Sequence, residues 1–275
     1  SGDEEGCSWN DSVVTTPSGF KEAYGQYVEG GWPSISHSPD LGGQGLPESL
    51  GTMVSELNGT SNWSWAMYPG LSHGAMNTVQ SHGTNAQKEL YLTRLTEGTW
   101  TGTMCLTEPQ CGTDLGQVKT KAEPNSDGTY NITGTKIFIS AGEHDLTDNI
   151  IHIVLARLPN APAGTRGISL FIVPKFLRDG RKNDITVAGL NHKMGNRGIS
   201  NCLLNFGEGE GAQGWLVGEL GHGLRQMFMM MNEARIGVGF GGAAVAYRGH
   251  KLAVNYAKER LQGRDIYKRD DKVIP

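Results

Sequence analysis

Met104-Cys105-Leu106-Thr107-Glu108-Pro109-Gln110-Cys111-Gly112-Thr113-Asp114 is the stretch on which the reading of this chain turns. It closes an alternating run from Trp100 to Thr107. In that run Trp100, Gly102, Met104 and Leu106 face one way and Thr101, Thr103, Cys105 and Thr107 the other, the pattern of a half-buried strand. Pro109 has no N–H to give to a sheet, so the strand ends before it. The Gly112-Thr113-Asp114 turn then presents backbone N–H groups beside a hydroxyl, a geometry suited to a phosphate or a carbonyl-rich ligand.

Working outward, the chain keeps a strand period to about Val217. Val118 to Glu123 and Thr129 to Ile132 flank an Asp127-Gly128 pair, a hairpin signal. Ile150 to Ala156 and Gly167 to Val173 are continuous apolar runs, as buried strands require, and Ile185 to Val187, Cys202 to Phe206 and Trp215 to Val217 complete a set of about eight short strands that predicts a barrel.

The segment before Trp100 reads as helical. Ser18 is placed to cap a helix carrying Phe20, Tyr24, Tyr27 and Val28 on one face and ending at Gly30-Gly31. Pro47 opens a second helix whose buried stripe is expected to be Leu50, Met53, Val54 and Leu57. Thr84 with Gln87 has the form of a capping box, for a helix burying Leu90 and Leu95 and stopping near Gly98. Trp63 to Ala75 reads equally as buried helix or loop. Its aromatics Trp63, Trp65 and Tyr68 are expected in the core, with the wall of a ligand pocket as the alternative.

Beyond Gly221-His222-Gly223, the residues Leu224, Met231, Val238, Val245 and Leu252 recur every seven, with Met227 and Phe228 on the same face, which predicts one long buried helix. Gly237-Val238-Gly239-Phe240-Gly241-Gly242 matches G-x-G-x-x-G. It lies inside that helical pattern with no strand before it, so it is read as a close-packing site and not as a dinucleotide loop.

Composition narrows the classes. A net charge of -4 without long runs of one sign gives no footprint for nucleic acid or an anionic membrane. The longest apolar runs, such as Ile168 to Val173, are far short of a bilayer span, and Ser1 to Asn10 is acidic and unlike a signal peptide, so a cytoplasmic protein is expected. Cys7, Cys105, Cys111 and Cys202 lack disulfide or metal spacing and are read as reduced thiols. The 8 histidines show no metal pairing, no G-x-S-x-G elbow is present, and His144-Asp145 is read as a loop pair.

The central stretch resembles the flavin-binding strand and turn of the acyl-CoA dehydrogenase family, aromatic-x-x-Thr-Glu-Pro-x-x-Gly-Ser-Asp, with Met104 for the aromatic and Thr113 for the serine. Gly134-Thr135-Lys136-Ile137-Phe138-Ile139-Ser140 is similar to the family's Gly-x-Lys-x-Trp-Ile-Thr strand. Tyr256-Ala257-Lys258-Glu259-Arg260-Leu261-Gln262-Gly263-Arg264 is similar to its Tyr-Ala-x-x-Arg-x-x-Phe-Gly helix end, without the phenylalanine. Within the family the chain most resembles the subgroup acting on bacterial acyl-CoA or 3-methylmercaptopropionyl-CoA esters.

The resemblance implies an α+β chain with a helical N-terminal domain (1–99), a middle antiparallel β-barrel domain (100–218) and the start of a C-terminal helical bundle (219–275). It implies FAD as cofactor. Met104, Leu106 and Thr107 would bind the flavin pyrimidine, Phe138, Ile139 and Ser140 would wall the ring, Gly112 and Thr113 would meet the pyrophosphate, and Arg260 and Gln262 would reach the FAD of a neighbouring subunit in a homodimer or homotetramer. Thr113, Asn232 and Arg235 would line the acyl-CoA channel.

The implied reaction is oxidation of an acyl-CoA to its 2,3-enoyl form, with electrons passed to an electron-transferring flavoprotein. An acyl-CoA oxidase or a noncatalytic flavin or acyl-CoA binding protein of the same fold remains the alternative. The base should be a glutamate. The family's usual position falls beyond Pro275, and the other has Ala234 here, with Glu233 about 100° around the helix. The chain is therefore expected to be a piece of a longer enzyme that lacks its base.

Overall fold

The computed structural model describes residues 2–263. A short helix α1 (Gly2–Glu5) and a hairpin of β1 (Ser8–Asn10) and β2 (Val13–Thr15) lead into helices α2 (Phe20–Glu29), α3 (Glu48–Ser61), α4 (Trp63–His82) and α5 (Asn85–Glu97). Strands β3 (Trp100–Cys105), β4 (Lys121–Pro124), β5 (Tyr130–Ser140), β6 (Asn149–Arg157), β7 (Ile168–Pro174), β8 (Ile185–Leu190), β9 (Asn201–Phe206) and β10 (Ala212–Val217) follow. One long helix, α6 (Gly223–Glu259), comes last among the described elements.

The strands form one 8-stranded sheet, seven of them in the order β10-β7-β6-β4-β5-β9-β8 and β3 joined to β6 off that path, with β10 also pairing β5 so that the sheet closes on itself. Most pairings are antiparallel, as expected for a barrel. Strand β3 instead runs parallel to β6, from Trp100 opposite Asn149 to Cys105 opposite Val154. Strand β5 is long enough to pair with β4 along one edge and with two strands along the other. Tyr130 to Ile132 pair with β10 and Gly134 to Ser140 with β9.

Two cores lie back to back across β6. Ile151, Ile153 and Leu155 pack outward with Ala75, Met76, Val79, Leu92, Met227 and Met230 of the helices. Val154 and Ala156 point into the barrel with Ile132, Ile139, Phe171 and Leu204. This is why β6 reads as an unbroken apolar run. Strand β3 is likewise covered on both faces, so the half-buried expectation is corrected. Thr101, Thr103 and Cys105 are sealed inside the barrel, and on the other face α4 sits so close that a Cβ on Gly102 would lie 2.3 Å from that of Ala75.

The α5 capping box is present in both directions, Thr84 Oγ1 accepting from Gln87 N at 3.2 Å and Gln87 Oε1 from Thr84 N at 2.9 Å, and the helix stops at Gly98 with φ 79°. Trp63 to Ala75 is helix, capped by Asn62 Oδ1 accepting from Trp65 N at 3.2 Å. Trp65 and Tyr68 fill a third core with Phe20, Tyr24 and Ile199, whereas Trp63 lines a cavity.

Three further expectations are corrected. Ser18 does not cap α2. Its N–H and Oγ donate to Glu5, and Gly19 occupies the cap without a side-chain bond. On α3, Leu50, Met53 and Leu57 are exposed (38%, 59% and 69%), because α3 meets α4 and α6 through another face. On α6, Val238, Val245 and Leu252 are more than half exposed, and the buried set is Gln226, Met227, Met230, Gly241 and Ala244. The covered stripe is the one that faces the neighbouring elements, with Gly223 on β7, Met230 and Gly241 on α4 and Ala244 on α3, and Val238, Val245 and Leu252 lie off it. His144 and Asp145 lie in the loop between β5 and β6, as expected, but the loop is tied down: His144 is buried with Nε2 3.0 Å from Thr101 Oγ1, and Asp145 accepts from Thr16 N and Oγ1 at 3.1 and 2.7 Å.

The glycine cluster of α6 acts at one position. A Cβ on Gly241 would lie 2.2–2.4 Å from three ring atoms of Trp63, while one on Gly242 would meet nothing within 4 Å. Gly241→Ala is therefore expected to lose about 1–3 kcal/mol from overpacking against a rigid ring. Gly242→Ala should gain up to about 1 kcal/mol of helix propensity. Denaturant midpoints of the two variants check this, and equal shifts would rule out the Trp63 contact as the reason for Gly241.

Candidate functional site at the ends of β3 and β5

The site begins where β3 runs out. Ile137 N donates to Thr107 O at 2.9 Å, bringing the segment after β3 beside β5, and Glu108 and Cys111 exchange backbone bonds of 2.8 and 3.0 Å around Pro109 and Gln110. Beyond that tight turn Gly112, Thr113 and Asp114 are exposed, and Asp114 accepts from Gly116 N at 3.0 Å and Gln117 Nε2 at 2.9 Å. The turn is thus fixed from its far side while Gly112 and Thr113 face outward.

Beneath it lies a buried ion pair. Lys136 Nζ donates to Glu108 Oε1 and to Leu106 O, both at 2.9 Å, and the two side chains are 0% and 3% exposed. The Glu108 carboxylate also accepts from Lys119 N, Thr120 N and Thr120 Oγ1 at 2.7, 3.0 and 2.6 Å. Burial alone would raise the Glu108 carboxyl, but the Lys136 ammonium and these donors hold it down at about 2. Five bonds therefore tie the end of β3, the loop at 119–120 and β5 into one rigid unit.

A second fastening uses Arg157. Its guanidinium donates to the carbonyls of Val118 and Gly116 on one side and of Pro162 and Gly164 on the other, at 2.8, 2.6, 3.0 and 2.6 Å. The spacing of the sequence motifs shows neither fastening. A lysine directly before the apolar run Ile137-Phe138-Ile139 was the one available signal for the first.

On β5, pairing with β9 shifts register between Lys136 and Ile139, and at that bulge Phe138 adopts φ 62° and turns its ring 60% into solvent. Ala141, three residues on, also has φ 54°. Strained backbone at non-glycine residues beside an open turn is a mark of a functional site. Ser140 lies between them, its Oγ accepting from Asn201 Nδ2 at 3.4 Å. The structure thus places Thr107 beside Ile137 of β5 and within contact of Gly112, while the Leu106 side chain is buried in the helical core. The Ile139 side chain is instead in the barrel core, leaving its backbone alone for a ligand, and Met104 packs partly against the helical core.

Asn232 and Arg235 lie exposed on α6, with Arg235 Nη1 donating to Asn232 Oδ1 at 2.8 Å. Arg260 and Gln262 are exposed at the other end of that 37-residue helix, with Arg260 Nε donating to Tyr256 Oη at 3.2 Å. They are not brought to the strand ends of their own chain. Arg264 and the terminal Asp271 to Pro275 lie outside the described residues.

A cavity of about 370 Å³ opens between α3, α4 and α6. Its walls include Trp63, Met67, Leu71, Ile236, Val238 and Phe240, together with His37, His73 and Glu233, a polar group no sequence motif marks. Glu233 is engaged there. It accepts from His73 Nε2 at 2.9 Å and from Asn77 Nδ2 at 3.1 and 3.0 Å. All four cysteines are free. Burial pushes the Cys111 thiol up, away from reactive thiolate. Among the described residues no group of side chains has metal-binding geometry and no helix is long and apolar enough to cross a membrane.

The chain belongs to the acyl-CoA dehydrogenase family: residues 11–99 match the acyl-CoA dehydrogenase N-terminal domain and residues 103–208 its middle domain. It is 44% identical over 279 aligned residues to the 3-methylmercaptopropionyl-CoA dehydrogenase of Ruegeria pomeroyi, covering 100% of this chain and 47% of that protein. The solved butyryl-CoA dehydrogenase of Megasphaera elsdenii superposes with a TM-score of 0.78 and 30% identity, over 90% of this chain and 64% of that one. An acyl-CoA dehydrogenase from Bacillus anthracis, solved in complex with FAD, gives 0.75 and 25%, over 91% and 41%. The chain spans about half the length of the curated relatives it matches.

Proposed function

We propose that this chain carries the cofactor-binding part of an FAD-dependent acyl-CoA dehydrogenase acting on acyl-CoA thioesters, and that the complete protein passes electrons to an electron-transferring flavoprotein. The observation that carries the reading is the edge where Thr107, the Gly112-Thr113 turn and the outward Phe138 meet above the Glu108–Lys136 pair. The donor set fits FAD. The Gly112 and Thr113 N–H groups and the Thr113 hydroxyl would hold pyrophosphate, the backbone at Met104, Leu106 and Thr107 with the Thr107 hydroxyl would hold the pyrimidine, and Phe138, Ile139 and Ser140 would border the ring. When bound, FAD accepts the hydride equivalent from the acyl β carbon.

The domain division at 1–99, 100–218 and 219–275, and contact of Arg260 and Gln262 with a second subunit's cofactor, belong to the same proposal. So do Asn232 and Arg235 as neighbours of the acyl-CoA and the cavity between α3, α4 and α6 as the seat of the acyl chain. Glu233 is not assigned as the base. Burial would raise its carboxyl, but His73 and Asn77 more than offset this and lower it, so it is a weak proton acceptor.

Adding FAD to the purified chain is expected to give the shifted, quenched spectrum of bound flavin, and anaerobic addition of a short acyl-CoA is expected to leave it unbleached. Absence of flavin binding would reject the cofactor assignment. Bleaching would show that a base lies within these residues and make Glu233 the first suspect.

A further inference from the structure

A polar row crosses the sheet beside Ser140. Ser140 on β5 lies directly opposite Asn201 on β9, and Asn191, the residue that follows β8, stands on the far side of Asn201 with its N–H donating to Asn201 O at 2.8 Å. The side chains are joined in the same order. Asn191 Nδ2 donates to Asn201 Oδ1 at 2.9 Å, and Asn201 Nδ2 donates to Ser140 Oγ at 3.4 Å. All three residues are half-buried.

The direction of these bonds follows from a group that can act in only one sense. The Asn201 carbonyl oxygen can only accept, and it lies 3.3 Å from the same Asn191 side-chain atom, which is therefore the amide nitrogen. A nitrogen there requires the oxygen of the Asn201 amide to face it, so the Asn201 nitrogen faces Ser140. An amide nitrogen only donates. Ser140 Oγ thus receives this bond and its own hydrogen is left over, with no acceptor among the described residues.

The backbone beneath the hydroxyl is held as well. Ile139 is buried in the barrel core, Ala141 N donates to Ser200 O at 2.9 Å, and Phe138 and Ala141 on either side take φ of 62° and 54°. Left-handed backbone at non-glycine residues persists only where the surroundings impose it. A serine hydroxyl at an unconstrained strand end would serve as donor or acceptor alike. This one is held in place and offers a ligand a donor.

We propose that Asn191 and Asn201 are positioning residues that fix the Ser140 hydroxyl as a hydrogen-bond donor to the flavin, aimed at the ring nitrogen that takes up the hydride. In oxidised flavin that nitrogen carries a lone pair and no hydrogen, so it takes a donor and repels a second acceptor. The inference rests on the reading of Ser140 as a neighbour of the flavin ring, and it brings into the site two asparagines that no sequence motif marks.

The test compares FAD with 5-deaza-FAD, which has C–H in place of that nitrogen, in calorimetric titrations of the purified chain. FAD is expected to bind about two- to tenfold tighter than the analogue, the range of a net hydrogen bond. Ser140→Ala should abolish the preference. Asn201→Asp should abolish it with the serine still present, because a carboxylate of the same shape keeps the bond from Asn191 but draws the serine hydrogen to itself. Altered packing or the added charge would weaken both flavins alike, so the ratio of affinities isolates the row. Asn191→Ala, which frees the Asn201 amide to turn over, should reduce the ratio, and serves as the test if Asn201→Asp fails to fold by near-ultraviolet circular dichroism. Equal binding of the two flavins by the unaltered chain, or a preference that survives the asparagine substitutions, overturns the row alone. Binding of neither flavin overturns the cofactor reading along with it.

Discussion

Lys136→Met is expected to unfold or strongly destabilise the chain, by about 3–5 kcal/mol, and to abolish flavin binding at the ends of β3 and β5. Methionine replaces the volume of the stem but leaves Glu108, 3% exposed, as a buried carboxylate without its cation. The backbone donors at Lys119 and Thr120 remain, so part of the carboxylate's solvation is kept. The Leu106 carbonyl also loses its 2.9 Å bond from Nζ. Adding Glu108→Gln to Lys136→Met should recover a substantial part of the loss, because the uncompensated charge is then gone. Urea denaturation of the two single variants and the double variant measures the coupling. A single-variant loss below about 1 kcal/mol would show that the pair does not hold the two strand ends together.

Acidification is expected to be costly well before carboxylates protonate. His144 and His152 are pushed down to about 3, first by burial and then by the Lys175 charge, which leaves them neutral inside the barrel. Unfolding returns each to an ordinary value near 6.5. The folded state then binds fewer protons than the unfolded one across that interval. Their contribution is therefore complete above about pH 6.5 and is lost as pH falls toward about 3, at about 1.4 kcal/mol per pH unit for each histidine.

His37 acts in the same direction, and Glu108 adds its loss below about pH 4.5, toward about 2. His73 and Glu143 oppose them, since both are raised in the fold and their contributions fade as pH rises. Denaturant midpoints measured from pH 7 to pH 4 should fall steeply below pH 6.5, and His152→Asn should flatten that slope by about 1.4 kcal/mol per unit. A midpoint constant between pH 7 and pH 5 would refute the assignment of neutral buried histidines.

The motif at Met104 to Asp114 and the strand at Gly134 to Ser140 fixed the family and the order helix, barrel, helix before any coordinates. Local chemistry accounts for that reach. A proline stops a strand, a capping box starts a helix, and an Asp-Gly pair turns a hairpin, each within a few residues of the signal. Even so, Ser18 failed as a cap: its N–H and O–H are held by Glu5, thirteen residues away, and the helix begins one residue later with Gly19 at the cap position.

What remained hidden depends on partners distant in sequence. The apolar stripes of α3 and α6 announce faces, but which stripe packs is decided by where α4 and β7 lie. Glu108 and Lys136 are 28 residues apart, and the groups of the cavity wall span almost 200 positions from His37 to Glu233. The sequence by itself determined most of the helices and strands and their order, because those follow from periodicity and turn chemistry along the chain. Only the tertiary structure decided that a buried ion pair braces the ends of β3 and β5, that Phe138 turns outward at a bulge and that two histidines and a carboxylate meet in one cavity. Those facts are set by burial and charge between segments that the chain brings together only when folded.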